Sequence, residues 1–337
     1  MPKLFLILCI AAIFAVGCDN SNTANRTETG NESQTSTGSE ESKQPSTETA
    51  TNDPAAQQVE VTPSSGSQKN PAAGDSTQGD IPKSSGDIPL NLKFLSWNVE
   101  SEGSEPATIV KELADLGQYD VITLTEVLPK AAGDFCSAFG EDYNYIMGDT
   151  GRNDRMMVIY NKQALKYVRK FELDDINYKS KYRSPLVVHF KDMLTGKELL
   201  VMVNHLARGS AESRQMQAEK LVKWARDETM PIVALGDYNF DYDFKTRKGN
   251  ESFRLFMKDN IYDWVEPIEW VDTNWYDHPE QPDGKDDYPG SMLDFGFVAG
   301  PAKDWTTSCK VIVRDGDFPD NEKTSDHRPF EMIVSGN

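Results

Sequence analysis

The chain has 337 residues, with 54 acidic against 35 basic side chains and a net charge of −19 at pH 7. Such an excess of acid argues against tight, nonspecific binding to nucleic acid, though not against a nucleic-acid substrate whose charge is met by metal ions. Four cysteines without a Cys-x-x-Cys pair or a Cys-His cluster exclude a zinc site recognisable from spacing.

The N-terminus reads MPKLFLILCIAAIFAVGC, with Lys3 ahead of an apolar run from Leu4 to Val16. That run is shorter than the roughly 20 residues a spanning helix needs. A basic start, a short apolar core and a small-residue exit predict a secretory signal over 1–18. The exit Ala15-Val16-Gly17-Cys18 resembles a bacterial lipobox with Ala in place of the usual Leu. The resemblance implies cleavage before Cys18 and lipid attachment to it, hence an exported protein anchored to a membrane of the cell envelope. The alternative is a plain signal peptide with an incidental cysteine. Residues 19–87 are rich in Ser, Thr, Asn, Gln, Glu and Gly, with Val59, Val61 and Ile81 as the only large apolar residues. They cannot bury enough surface to offset chain entropy, which predicts a disordered spacer. As a flexible coil it would reach about 45 Å.

Residues 88–337 carry the aromatic and apolar runs of a folded domain, long enough for one large α/β sandwich. LNLKFLSWNVE (90–100) reads as a strand with both faces largely apolar, hence a central one. Ser104 or Glu105 then caps a helix with Pro106 in its first turn, a stripe of Ile109, Val110, Leu113 and Leu116, and Gly117 at its end. YDVITLTEV (119–127) is a second buried-type strand. A short helical piece at 131–139 precedes strands at 143–147 and 155–160. The latter is expected to form a meander with 165–173 and 184–190. LLVMVNHL (199–206) is another apolar strand, and Ser210 starts a helix with Ala218, Leu221, Val222 and Ala225 at helical spacing. PIVALGDYNFD (231–241) reads as a strand that breaks at its glycine. A long acidic and aromatic loop fills 272–290, and strands at 292–298, 309–313 and 329–334 close the domain. Strands, helices and hairpins interleave, which predicts a mixed-sheet α/β sandwich.

Apolar strands repeatedly end in short polar clusters: Asn98, Glu126, Asn204-His205, Asp237-Tyr238-Asn239, Asp294 and Asp326-His327. Taken singly, Asn and Asp at strand ends are ordinary turn residues. A carboxylate at the end of a buried strand, as at Glu126, must find a partner or a metal. Clustered carboxylate and amide oxygens suit Mg²⁺, which leans on one or two carboxylates plus phosphate. Two histidines can serve as general acid and base near neutral pH. The chemistry suggested is phosphoester hydrolysis assisted by a hard cation.

SWNVE (96–100), LTEV (124–127), VNHLARG (203–209), GDYNFD (236–241), SMLDF (291–295) and SDHRPF (325–330) resemble, in this order, signature blocks of one superfamily. It is the endonuclease/exonuclease/phosphatase superfamily, the fold of deoxyribonuclease I, AP endonucleases, bacterial sphingomyelinases and inositol polyphosphate 5-phosphatases. The resemblance implies a four-layer sandwich of two mixed β-sheets flanked by helices. By motif, Asn98 and Glu126 would hold the cation, Mg²⁺ with Mn²⁺ or Ca²⁺ as substitutes, with Asp326 assisting and Glu100 nearby. Asp237 and Asn239 would position the attacking water and the phosphate. His205 and His327 would flank the scissile phosphate, with Asp294 orienting His327. GRNDRMMVIY (151–160) resembles the segment supplying an acid for the other histidine, which nominates Asp154. RSPLVVHF (183–190) resembles one with a phosphate-contacting arginine, which nominates Arg183. His205 occupies a position where AP endonucleases usually have tyrosine, so the chain sits closer to the other branches.

The implied partner is a phosphodiester substrate, nucleic acid first, handled by a monomer. A phospholipid or inositol-phosphate phosphoesterase is the alternative, and a noncatalytic surface-binding lipoprotein is a third reading. Which histidine gives a proton and which takes one stays open. His189 reads as a strand residue and His278 as a surface-loop residue. Loop 272–290 could form a substrate rim or bind a structural Ca²⁺, neither of which its composition requires. Cys136 and Cys309 could pair, but spacing says nothing of their proximity.

Overall fold

The computed structural model describes residues 88–336, apart from 101, 102, 178, 179, 320 and 322. The expected signal, Cys18 and the spacer lie outside the described residues. Twelve strands form two six-stranded mixed sheets. In spatial order the first is β11 (Thr306–Val311), β12 (Phe330–Gly336), β1 (Leu90–Asn98), β2 (Val121–Val127), β4 (Arg155–Asn161) and β3 (Tyr143–Met147). The second is β5 (Leu165–Glu172), β6 (Leu186–Asp192), β7 (Glu198–His205), β8 (Ile232–Asp243), β10 (Ser291–Ala299) and β9 (Tyr262–Trp264). Each sheet has one parallel pair at its centre, β1 with β2 and β7 with β8.

Strand periodicity explains the layers. Successive side chains point to opposite faces. In β1, Leu92 and Phe94 join Val121 and Val158 against Val188, Val201, Val233 and Leu235 of the other sheet. Leu95 and Trp97 point the opposite way, to Ile109 and Leu113 of α1 (Pro106–Asp115) and Phe135 of α2 (Ala132–Ser137). On the far side, Leu200, Met202, Ile232 and Ala234 meet Ala218, Leu221 and Ala225 of α3 (Ala211–Asp227). Two faces are therefore buried in each sheet, and the order is helix, sheet, sheet, helix. Each fully buried Leu, Val or Phe in these layers contributes about 1.5–3 kcal/mol relative to exposure.

Ser210 caps α3 as expected, its side chain accepting from Ser213 N. At α1 the cap position is Glu105, whose side chain accepts from no backbone N–H of the first turn, and Ser104 Oγ donates to Val99 O and Glu100 O. Gly117, at φ +91, supplies the left-handed turn after α1.

Two expectations fail. The strand at 155–160 does not form a meander with the two that follow. β4 is already paired on both sides, by β2 and β3, so it offers no edge to β5. The chain crosses to the second sheet, where β5 pairs with β6. Nor does the 231–241 strand break at its glycine: β8 runs through Gly236 to Asp243. Gly236 adopts φ +133, and a Cβ there would lie 2.1 Å from Asn204 O. The glycine serves close approach of β7 and β8, not chain reversal.

The sequence reading also missed α4 (Glu251–Met257), capped by Asn250 Oδ1 accepting from Ser252 N and Phe253 N, and the short β9. Cys136 and Cys309 are free thiols, each buried, one on α2 in the layer between helices and first sheet and the other between the sheets.

Candidate active site

Strand ends from both sheets converge at one end of the sandwich. β1 ends at Asn98, whose Nδ2 donates to Glu126 Oε1 on β2 at 3.0 Å and to Asp237 Oδ2 on β8 at 3.2 Å. One amide thus stitches the two sheets together. In β8, Asp237 and Asn239 share the face toward the site, while Tyr238 between them packs outward on Phe256 of α4. Tyr238 OH accepts from Asn204 Nδ2 at 2.9 Å on that outer side, and the next residue of β7, His205, turns inward.

Local backbone distortion aims these groups. A register shift between Leu124 and Val127 in the β2–β4 pairing surrounds Glu126, which has φ +56. A second shift, between Met292 and Asp294, turns Asp294 in from β10. Bulges commonly re-aim side chains beside active sites. Asn239 also sits at φ +52. Left-handed non-glycine residues of this kind cost about 1–3 kcal/mol each and collect at functional sites.

Both histidines approach the same oxygen of Asp237. His205 Nε2 lies 3.5 Å from Asp237 Oδ2 and 3.7 Å from Glu126 Oε1. His327 Nε2 lies 3.9 Å from Asp237 Oδ2 and 3.8 Å from Asp326 Oδ1. Each ring has an acid behind it. His327 Nδ1 is 2.7 Å from Asp294 Oδ2, and His205 Nδ1 is 3.4 Å from Asp154 Oδ1. Asp154 is held in turn by Arg183 Nη1 at 2.7 Å. The structure therefore brings Asn98, Glu126, Asp154, Arg183, His205, Asp237, Asn239, Asp294, Asp326 and His327 into one cluster. Glu100 joins its edge through its carboxylate, which accepts from Asp326 N at 3.1 Å.

Electrostatics differ around the cluster. Burial lowers the His327 imidazole, but Asp294, Asp326 and Asp237 more than reverse this and push it up to about 10. Burial pushes the Asp294 carboxyl up, against the pull of the His327 charge. Burial also raises Asp154, yet His205 and Arg183 outweigh it and hold that carboxyl below its ordinary value.

Several supporting residues escaped the sequence reading. Ser325 Oγ donates to Asn98 O at 2.6 Å and accepts from His327 N. Trp97 Nε1 donates to His327 O at 2.8 Å, with the Arg314 guanidinium 4.7 Å from its ring centre. Thr273 Oγ1 accepts from the backbone N–H of both Leu293 and Asp294. Ser325 and Trp97 lie inside blocks already quoted and were readable as neighbours. Thr273 lies in an irregular loop and carries no sequence signal. His189 is a buried strand residue 2.8 Å from Glu198, and His278 is exposed, as expected.

Asn98, Glu126, Asp237 and Asp326 present oxygen donors, and the acids outnumber the cationic groups around them. That donor set fits a hard divalent cation. Among the described residues no three His, Cys, Asp or Glu side chains are arranged to enclose a metal ion, in the site or in loop 272–290. Mg²⁺ does not need such a cage, because water and substrate phosphate complete its shell.

The profile of the Endonuclease/Exonuclease/phosphatase family matches residues 95–327, which span every one of these groups. The chain belongs to that family. Family enzymes hydrolyse phosphate esters and generally use divalent metals. Among solved structures, a family protein from Bacteroides thetaiotaomicron is 19% identical, with 74% of this chain and 96% of that one covered and a TM-score of 0.56. The mannosyl-6-phosphatase of the same organism is 18% identical over 72% of this chain and 99% of its own, with a TM-score of 0.54. TDP2 of D. rerio, solved with a single-strand DNA product, is 16% identical over 73% and 99%, with a TM-score of 0.56. These likenesses establish the four-layer fold of the family member. No curated protein matches the sequence. Among the described residues, no helix is long and apolar enough to cross a membrane.

Proposed function

We propose that this family member is a divalent-cation-dependent phosphodiesterase acting on nucleic acid. The observation that carries the reading is the pair of histidines whose Nε2 atoms both approach Asp237 Oδ2, each backed by its own carboxylate. A phosphodiester resists attack because its oxygens are negative, so a catalyst must supply positive charge and directed protons. His327, held protonated near neutral pH, donates to the phosphate or to the leaving oxygen. Asp237 Oδ2 lies 3.5 and 3.9 Å from the two Nε2 atoms and positions the attacking water. His205 is placed to exchange the other proton. Arg183 braces Asp154 and presents its guanidinium to the phosphate. Glu126, Asn98 and Asp326 would hold the cation, Mg²⁺ or in its place Mn²⁺ or Ca²⁺, whose Lewis acidity offsets charge developing on phosphate oxygens.

The nucleic-acid assignment draws on the rim. Tyr276 has the Arg208 guanidinium 5.4 Å from its ring centre and the Tyr288 ring 5.8 Å away. Nearby Asn274 bridges to the His327 backbone. Base stacking on such a platform is worth about 1–3 kcal/mol per base. The exposed hairpin tip Met193-Leu194 lies between β6 and β7, at the end of β7 away from His205, so it offers a lipid substrate no path to the site.

The test is hydrolysis by the full chain of plasmid DNA, RNA, sphingomyelin and inositol phosphates, with and without EDTA. Loss of DNA or RNA that stops with EDTA and returns with Mg²⁺ is expected. Activity indifferent to chelation would sink the metal mechanism, and turnover of only the lipid or inositol phosphate would move the substrate to that class. We also propose an envelope lipoprotein, on the strength of the lipobox-like exit. Cys18→Ser should move the protein out of the membrane fraction, and continued retention would refute the anchor.

A further inference from the structure

Residues 149–155, 174–177 and 180–184 wall a cleft of about 850 Å³. It shares Asp154 and Arg183 with the site, so it opens on the His205 side of the cluster. Three more cations line it, Arg152, Arg155 and Lys181, of which Arg152 and Lys181 are exposed. The acids of the cleft are already engaged. Asp149 pairs with Lys170 at 3.0 Å, Asp154 with Arg183 at 2.7 Å, and Asp174 accepts from Ser184 Oγ at 2.8 Å.

Arg155 spends two donors on carbonyls, Arg152 O at 3.0 Å and Gly148 O at 3.3 Å, and so braces the loop. Among the described residues no carboxylate forms an ion pair with Arg152, Arg155 or Lys181. At the boundary between cleft and site, Arg183 Nε is buried with no hydrogen-bond partner. Buried donors ordinarily have one. In a chain of net charge −19, a cleft with three cations outside any ion pair against one such carboxylate, Asp174, and ending in an unused donor, is built for an anion.

We propose that this cleft binds a second phosphate group of the substrate, next to the phosphate that is cut. The proposal rests on the phosphoesterase reading and narrows it to substrates with at least two phosphates. Guanidinium forks match phosphate oxygens bidentately, and Lys181 adds a mobile point charge. The next phosphodiester of a nucleic-acid strand and the second monoester of a sugar bisphosphate present the same chemistry.

The experiment is a calorimetric titration of the full chain in EDTA with thymidine 3′,5′-bisphosphate against thymidine 5′-monophosphate. A parallel arm uses fructose 1,6-bisphosphate against fructose 6-phosphate. The bisphosphate should bind at least tenfold more tightly than its monophosphate, with a steep salt dependence. The double variant Arg152→Ala/Lys181→Ala, changed only at exposed positions, should lose most of that advantage. The arm that shows it identifies the source of the second phosphate. Equal affinity for both members of each pair, or an advantage that survives the double variant, overturns the subsite. A retained advantage without metal-dependent turnover of any phosphate ester would instead overturn the phosphoesterase reading and leave the anion site standing.

Discussion

Asp294 and His327 lie 2.7 Å apart although they belong to different halves of the molecule, one on β10 of the second sheet and the other in the turn before β12 of the first. The contact locks an imidazole across the junction of the two sheets. Asp294→Asn keeps the side-chain shape but removes the charge that holds the ring and its proton. Turnover should fall by about 10²–10⁴, the usual worth of a positioned general acid or base. Steady-state kinetics alongside circular dichroism check this, and a wild-type rate from a folded variant would refute the assignment.

Glu126 is the clearest metal candidate, a carboxylate at a bulge with left-handed backbone beside Asn98 and His205. Glu126→Gln leaves the amide able to bond Asn98 but weakens its hold on a cation. The Mg²⁺ concentration for half-maximal activity should rise at least about tenfold. An unchanged Mg²⁺ titration would remove Glu126 from the metal site.

Gly236 lets β7 and β8 approach beside Asp237. A methyl group there would meet Asn204 O at 2.1 Å, at a φ of +133 that alanine rarely adopts. Gly236→Ala should cost about 2–4 kcal/mol of stability, in the range of strained backbone substitutions. Urea unfolding measures it. A midpoint within error of wild type would show that the two strands can shift to accommodate the methyl.

Glu331 on β12 pairs with Lys93 at 2.8 Å and Lys310 at 3.2 Å. Burial raises its carboxyl, but the two lysines outweigh this and hold it below the ordinary 4.5. A depressed folded value means the stabilisation is fully present above the unfolded value and is lost as pH falls through the folded one. The destabilisation by Glu331→Gln should therefore be largest near neutral pH and shrink below about pH 4. Denaturant unfolding of both proteins at the two pH values tests the sign, and a penalty that grows on acidification would reverse it.

Legibility followed the range of the interactions concerned. β1 was readable because burial on both faces leaves an apolar run. The start of α3 was readable because Ser210 caps it through Ser213, three residues on. The crossing between β4 and β5 was not, because a strand pairs with whichever edge is free, and β3 had already taken that of β4. Gly236 was misread because a turn glycine and a close-approach glycine look alike until the neighbouring strand is present. α4 and β9 are short, and packing on Phe297 and Tyr238 decides them more than propensity does.

By itself the sequence determined which chemistry was available: two strand-end histidines, an excess of carboxylates and three strand-end amides, in a fixed order along apolar strands. It also determined the sheet faces, because alternation of apolar residues is a local property. Only the tertiary structure decided that Asn98 bonds Glu126 and Asp237 at once, that Arg183 clamps the Asp154 behind His205, and that a cationic cleft opens beside that histidine. Those distances depend on how two sheets register against each other. Register is set by the packed core between them, not by spacing along the chain.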